Sequence, residues 1–198
     1  MSDDTSTLPV TKFGDLLTAD HVDAGKDGIS LKGDQTAIVI ADAYTKMIRG
    51  YPRVSHSLKD TVAALLDFVG PGDVVGLFYT DGAPVLLSAA KKLMWRSDSS
   101  PPYRPQANGA AERSVRTIVE GTRAMLIQAG LHHRWWPFAM KAFSALRNLT
   151  TVVMAGRTSD KGPKLEGTPY ELKSGNPFSG HLIPFGQKVQ YLKEPKRE

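Results

Sequence analysis

The stretch that decides the fold reads Pro101-Pro102-Tyr103-Arg104-Pro105-Gln106-Ala107-Asn108-Gly109-Ala110-Ala111-Glu112-Arg113. Its prolines disfavour a helix before Gln106, and Asn108-Gly109 can cap the helix that follows. From Ala110 onward, inward-facing residues recur at spacings of three and four, which predicts a long helix. They are Val115, Ile118, Val119, Thr122, Met125, Leu126 and Ala129. Glu112 is therefore expected in the first helical turn, on or beside the buried stripe.

The same stretch resembles the Tyr-x-Pro-Gln-x-(Gln/Asn)-Gly-x-x-Glu segment of retroviral and retrotransposon integrases. The matching residues, which follow without a gap, are Tyr103, Pro105, Gln106, Asn108, Gly109 and Glu112. Arg113 also matches the Glu-Arg pair of the retrotransposon members. In that family the glutamate is the last of three metal-binding carboxylates. The resemblance therefore implies two aspartates upstream, each in a strand or at its end.

Two aspartates fit this expectation. Asp81 follows the apolar run 74–80 and precedes Gly82, which resembles the strand-Asp-x-Gly segment of the family. Asp20 lies in the first predicted strand, residues 16–22. Asp42 is the alternative first ligand, because it ends the buried run 36–41. In the family, however, the aspartate of an Asp-x-(Phe/Tyr)-(Ser/Thr)-(Lys/Arg) segment like this one is usually structural. The strand order of the family favours Asp20.

The resemblance implies a catalytic and metal-binding set of Asp20, Asp81 and Glu112. Carboxylate oxygens are hard ligands that suit Mg²⁺ or Mn²⁺. Two such ions can stabilise the attacking and leaving oxygens of a phosphodiester displacement. By resemblance, Asp20 would bridge both ions, and Asp81 and Glu112 would each hold one. We expect the three carboxylates to converge within a few ångströms, with no small-molecule cofactor.

The order of predicted elements indicates an α/β fold. A three-stranded antiparallel meander over 16–52 precedes a helix from Ser57 to Val69, strand 74–80 and a helix over 84–95. Two long helices follow, with Gly130 between them. The resemblance implies a ribonuclease H-like fold with a mixed central sheet of about five strands and helices on both faces. We expect a disordered tail at 1–12, a catalytic core at 13–150 and a loop-rich extension at 151–198, with a short helix from Thr168 and a strand at 185–192.

Composition narrows the classes of function. The chain has no cysteine, which excludes disulfides, thiol nucleophiles and cysteine-based zinc sites. It has no apolar run of about 18–20 residues and no signal peptide, so we expect a soluble, intracellular protein without a membrane partner. Residues 1–90 carry a net charge of −5, whereas residues 91–148 carry +7. This basic second half suggests a polyanionic partner.

DNA is the partner that the resemblance implies. In the family, the loop that holds Tyr103, Gln106 and Asn108 contacts the DNA end beside the metals. Aromatic rings can stack on bases, and amides can bond to base or phosphate edges. Four basic residues are further candidate phosphate contacts. They are Lys91, Lys92, Arg113 and Arg116.

The leading hypothesis is a DDE integrase core that carries out 3′-end processing and strand transfer of element DNA into target DNA. We expect it to form homo-oligomers and to act in the nucleus after a cytoplasmic particle stage. One alternative is a decayed or domesticated relative that only binds nucleic acid, because Gly82-Ala83-Pro84-Val85 departs from the family pattern after Asp81. The second alternative is a nuclease of the same fold, in which water attacks instead of a 3′-hydroxyl.

Overall fold

Seven strands and five α-helices form in the part of the chain that the computed structural model describes, residues 9–99, 109–157 and 164–189. The strands are β1 (Leu16–Asp23), β2 (Thr36–Asp42), β3 (Ile48–Arg53), β4 (Leu77–Thr80), β5 (Ser97–Ser99), β6 (Val153–Met154) and β7 (Glu166–Gly167). The helices are α1 (Leu58–Val69), α2 (Pro84–Lys92), α3 (Gly109–Ala129), α4 (Trp136–Thr150) and α5 (Pro169–Ser174). No helix within the described ranges has the length and apolar character needed to cross a membrane.

Five of the strands form one mixed sheet in the order β3-β2-β1-β4-β5. The first three strands pair antiparallel, as the predicted meander requires. β1 pairs parallel with β4, and β4 pairs parallel with β5. The prediction of a mixed sheet of about five strands is therefore confirmed. β6 and β7 form a separate two-stranded sheet.

Helices cover both faces of this sheet, which explains why every residue of β2 is buried. Ile38 packs on one face with Leu65 of α1 and Leu86 of α2. Val39, the next residue, packs on the other face with Ile118 of α3. Because strand side chains alternate between faces, a strand covered on both sides must be apolar throughout. The predicted arrangement of helices on both faces is confirmed.

Three helix boundaries occur where capping residues predicted them. Ser57 caps α1, and its hydroxyl accepts a hydrogen bond from the Asp60 N–H at 3.1 Å. Gly130 follows α3 with a φ of +62°, a conformation that glycine adopts without steric penalty. Thr168 and Glu171 form a capping box at the start of α5.

The predicted strand 74–80 and helix 84–95 were both too long. β4 begins only at Leu77, and Val74 is 76% exposed. α2 ends at Lys92, and Met94, which falls inside the predicted helix 84–95, has a φ of +56° and is 91% exposed. This left-handed turn lets the Trp95 N–H bond to the Ala90 carbonyl at 3.0 Å, so Trp95 packs against the core instead of Met94.

The predicted strand 185–192 was wrong over its described part, and β5 was missed. Residues 185–189 contain a turn, in which the Gln187 N–H donates to the Pro184 carbonyl at 3.2 Å. Phe185 packs instead against the cluster between α3 and α4. β5 consists of Ser97, Asp98 and Ser99, and this polar edge strand has no hydrophobic pattern that would reveal it.

Gly121 allows α3 and α4 to pack closely, and Gly121→Ala is expected to destabilise the fold. A Cβ at this position would overlap the ring of Phe143. Overpacking of this kind usually costs about 1–3 kcal/mol of the free energy of unfolding, so we expect a net loss of stability. The cost should outweigh the helix propensity of about 1 kcal/mol that alanine adds. Urea unfolding measures the change.

Gly109→Ala is the matched control for this prediction. It lies in the same helix, and among the described residues its added Cβ would meet only Nη1 of Arg113, at 3.4 Å. We expect no loss of stability from it. Equal stability of Gly121→Ala and the native protein would contradict the close packing of α3 on α4.

Candidate active site

Asp20 and Asp81 lie at the same edge of the sheet, the carboxylate edge. The parallel pairing of β1 and β4 places Thr18 beside Tyr79, and each aspartate comes two residues later on its chain. Parallel strands advance by the same rise per residue, so this register brings the two aspartates to neighbouring positions. Asp20 lies within β1, and Asp81 follows the last residue of β4.

Asp20 projects from the sheet face that α3 covers. Leu17 and Ala19 belong to the core cluster on the α1 and α2 side. Because side chains alternate along a strand, Thr18 and Asp20 point to the opposite face. α3 contacts β1 and β2 on that face. Glu112 lies in the first turn of α3, so it approaches the carboxylate edge from above the sheet.

The electrostatics of Asp20 report the proximity of the other two carboxylates. Burial raises the pKa of Asp20, the negative charges of Asp81 and Glu112 raise it further, and a hydrogen bond from the His21 N–H partly offsets both effects. That N–H lies 2.8 Å from Oδ1 of Asp20. Because charge–charge effects weaken with distance, both carboxylates lie near enough to Asp20 to act on its pKa.

The turn after β4 holds the carboxylate of Asp81. Its Oδ1 accepts hydrogen bonds from the Thr80 hydroxyl and from the Ala83 N–H, each at 3.0 Å. Gly82 has a φ of +92°, a left-handed conformation that allows the chain to turn directly into α2. The sequence Gly82-Ala83-Pro84, which departs from the family pattern, therefore still orients the aspartate.

The three carboxylates lie in one region but do not form a complete metal-binding site. Within the described ranges, no three His, Cys, Asp or Glu side chains are arranged to hold a metal ion as they stand. The expected convergence within a few ångströms is therefore not seen. The donor chemistry nevertheless fits a divalent cation, because hard carboxylate oxygens suit Mg²⁺. A cation would also offset the repulsion that raises the pKa of Asp20.

Asp42 occupies a different part of the sheet. It pairs with Leu17, three residues before Asp20, which corresponds to about 10 Å along β1. It is 2% exposed, and both of its oxygens are engaged. Oδ1 accepts from the Gly14 N–H at 2.9 Å, and Oδ2 accepts from the N–H and hydroxyl of Thr45 at 2.7 and 2.8 Å. Asp42 therefore stabilises the turn between β2 and β3, which supports Asp20 as the first carboxylate.

Sequence analysis missed a histidine pair beside the carboxylates. His21 follows Asp20 directly, and its ring stacks on His56 with centroids 4.5 Å apart. Burial, with a smaller effect of His56, lowers the pKa of His21 to about 4. His56 Nε2 lies 3.0 Å from Oδ1 of Asp23. Adjacency to Asp20 was the available signal for His21, but nothing local predicts His56.

Four of the seven predicted DNA contacts lie in the described part of the chain, in two separate places. Tyr103, Gln106 and Asn108 lie outside the described residues. Two others, Arg113 and Arg116, are exposed on the first half of α3, close to Glu112. The remaining two, Lys91 and Lys92, lie at the last turn of α2, about 12 Å along the helix axis from its start beside Asp81. Their contact with DNA stays a prediction.

Solved structures of retroviral integrases have the same architecture. The structure matches the BIV integrase catalytic core domain with a TM-score of 0.54 at 16% identity, covering 82% of this chain and 95% of that one. The chain has the fold of an integrase catalytic core. A dimeric form of the HTLV-2 integrase catalytic core domain in complex with magnesium matches with a TM-score of 0.58 at 13% identity, covering 82% of this chain and 98% of that one.

An integrase within a larger assembly matches as well. The simian T-cell lymphotropic virus intasome, in complex with PP2A regulatory subunit B56 gamma, gives a TM-score of 0.62 at 15% identity. The match covers 92% of this chain and 61% of the intasome chain, so this chain spans less than two thirds of that protein. No family model matches the sequence. The predicted ribonuclease H-like fold is confirmed, and identities this low bear on the fold alone.

Proposed function

We propose that this chain is a metal-dependent polynucleotidyl transferase that processes the 3′ end of an element DNA and joins it to target DNA. One observation carries the proposal. On an integrase-core fold, Asp20 and Asp81 leave the same sheet edge, and the charges of Asp81 and Glu112 both act on Asp20. A set of three carboxylates at one edge of the sheet is suited to metal-dependent phosphoryl transfer.

The proposed roles follow from where the side chains lie. Asp20, on whose pKa both other carboxylates act, would hold Mg²⁺ or Mn²⁺ together with Asp81 and Glu112. When bound, these ions would supply charge that activates the attacking hydroxyl and stabilises the leaving oxygen. The hydrogen bond from the Ala83 N–H keeps the Asp81 carboxylate oriented before any ligand arrives.

The proposal extends to partners and location. Element and target DNA would lie across the α3 side of the carboxylate edge, where Arg113 and Arg116 are exposed. The HTLV-2 core domain matched above exists in a dimeric form, and we propose that this chain also functions as a homo-oligomer. Joining element DNA to a host genome would take place in the nucleus.

A second candidate is a relative that binds nucleic acid without catalysis. One observation favours it, because the carboxylates of the described residues are not arranged to hold a metal as they stand. The charge of +7 over residues 91–148 would remain available for binding DNA in such a protein.

A joining assay distinguishes these functions. The purified chain is mixed with a labelled duplex bearing a 3′-hydroxyl and with a supercoiled plasmid, in Mg²⁺, in Mn²⁺ and in EDTA. We expect metal-dependent transfer of label to the plasmid, which Glu112→Gln removes. Cleavage without joining would indicate a nuclease. Salt-sensitive binding of DNA without either product would favour the binding-only relative and contradict the proposal.

A further inference from the structure

A basic pocket lies beside the carboxylate edge, on the α3 side of the sheet. Its volume is about 520 Å³. β1, the β2–β3 turn, the start of α3, the end of α4 and the segment after β6 contribute to its wall. Four cationic side chains line it, together with Asp42 as its carboxylate. The cations are Lys46, Arg113, Arg147 and Arg157.

Asp42 is the acidic side chain that the described residues contribute to this lining, and hydrogen bonds within the fold engage it. Asp42 is 2% exposed, and its oxygens accept three hydrogen bonds from Gly14 and Thr45. Counted over the described residues alone, the lining holds four cations and one anion, a formal charge of +3. A concave site with this excess of positive charge focuses its field on an anion.

Arg147 is held in place rather than left in solvent. Its Nη1 donates to the Lys46 carbonyl at 2.9 Å and to Oδ1 of Asn148 at 3.2 Å. Asn148 is itself fixed by bonds with the N–H and carbonyl of Ile48. A guanidinium has five N–H donors, and these bonds engage only its Nη1 group. Burial lowers the pKa of Arg147, so an anion beside it would offset lost hydration.

The backbone of Lys46 contributes to this arrangement. Its φ of +60° is unusual for a residue other than glycine, and it accompanies the carbonyl orientation that accepts the Arg147 bond. The Lys46 ammonium donates to the Ala43 carbonyl at 2.8 Å. Unusual backbone conformations of this kind persist where surrounding contacts enforce them, often at binding sites.

We propose that this pocket binds a backbone phosphate of the nucleic-acid strand that passes the carboxylate edge. Thr18 of its wall lies two strand residues before Asp20, about 7 Å away. Along the axis of a DNA duplex that distance corresponds to a rise of about two nucleotides, at 3.4 Å per nucleotide of one strand. Arg113 of its wall follows Glu112 directly. This phosphate site rests on the proposed function and adds to it a contact with the DNA backbone.

The test measures DNA binding without chemistry. The double variant Arg113→Gln/Arg157→Gln is made in a Glu112→Gln background and titrated in EDTA against a labelled 20-base-pair duplex at several salt concentrations. We expect affinity at about 0.1 M salt to fall about tenfold or more, and the slope of log K against log salt to become shallower by about 1–2. The fall in affinity and the change in slope are both measured relative to the Glu112→Gln parent.

A charge-matched control separates a pocket from general basicity. Lys59→Gln/Lys141→Gln removes two exposed positive charges that do not line the pocket. We expect it to change affinity less than threefold. Equal losses in both double variants would overturn the pocket assignment, as would an unchanged affinity in the Arg113→Gln/Arg157→Gln variant.

Two further measurements identify the anion that the pocket binds. Inorganic phosphate is titrated while the side-chain N–H resonances of Arg113 and Arg147 are followed by NMR, and poly-glutamate is used as a competitor of the duplex. Phosphate binding at the pocket together with unchanged DNA affinity would reassign it to a free phosphate. Tighter binding of poly-glutamate than of the duplex would reassign it to an acidic protein. Because no arm requires catalysis, failure here is separate from failure of the joining assay.

Discussion

Asp20→Asn is expected to reduce metal-dependent DNA cleavage and joining by about a thousandfold or more. Asp20 is the carboxylate on which the charges of both Asp81 and Glu112 act, so its substitution removes one of the three groups that would hold the metal. Metal ions contribute several kcal/mol of transition-state stabilisation, and each 1.36 kcal/mol is tenfold in rate. Single-turnover rates in saturating Mg²⁺ and Mn²⁺ measure the effect.

Asp98→Asn is a well-matched control for that experiment. Asp98 also lies in a strand of the same sheet, and its Oδ1 accepts from the next N–H, that of Ser99, at 2.8 Å. Asp20 makes the equivalent bond with the His21 N–H. We expect Asp98→Asn to retain activity. Native rates in Asp20→Asn would exclude Asp20 from the reaction.

The same Asp20→Asn variant should alter stability in a pH-dependent way when metal is absent. Burial and two like charges raise the pKa of Asp20 above its ordinary value of 3.8, so the folded state binds the proton more tightly than the unfolded state. The ionised carboxylate therefore destabilises the native fold. This penalty is absent at pH below 3.8 and grows as the pH rises through the folded-state pKa.

Thermal unfolding in EDTA and in Mg²⁺ measures this change. In EDTA, Tm of Asp20→Asn should exceed that of the native protein at neutral pH and converge with it in acid. Added Mg²⁺ should raise Tm of the native protein, because a ligand that binds the folded state stabilises it, and should leave the variant unchanged. An equal Mg²⁺ effect on both proteins would place the metal elsewhere.

Asp42→Ala is expected to lower the free energy of unfolding by about 3 kcal/mol or more. The variant leaves the N–H groups of Gly14 and Thr45 without their buried acceptor, and each unsatisfied buried donor costs about 1–3 kcal/mol. For a chain of this size the loss corresponds to a Tm lower by roughly 6–12 °C. Circular dichroism melts measure it.

Two outcomes separate a structural Asp42 from a catalytic one. Asp42→Asn keeps one carbonyl acceptor and the side-chain volume, so we expect a smaller loss of stability than in Asp42→Ala. At a temperature where it remains folded, Asp42→Asn should retain joining activity. A fully folded Asp42→Asn without activity would instead make Asp42 a ligand and contradict its role in the β2–β3 turn.

Strongly patterned parts of the fold could be predicted from the sequence. The continuous apolar run of β2 indicates a strand covered on both faces, and Ser57 and Gly130 indicate where helices begin or end. β5 could not be predicted, because its three polar residues obtain their strand conformation from pairing with β4. Met94 was misplaced because helical periodicity cannot show where a helix stops.

The carboxylate set could be predicted from the sequence, whereas the basic pocket could not. Glu112 lies in a contiguous motif, and Asp20 and Asp81 lie in or after strands, so local sequence was informative. Arg147 and Lys46 are 101 residues apart and meet through a hydrogen bond between helix end and turn. No spacing rule connects them, because their proximity is a product of the packing of α4 on the sheet.

Anomalous diffraction from a crystal soaked in Mn²⁺ would show directly whether Asp20, Asp81 and Glu112 hold divalent metal. We expect anomalous peaks at the edge of the sheet where β1 and β4 end, within about 2.0–2.3 Å of carboxylate oxygens of Asp20 and Asp81, with Glu112 turned toward them. A crystal that binds Mn²⁺ only at Asp42 or at other surface carboxylates, with no peak beside Asp20, would contradict the account.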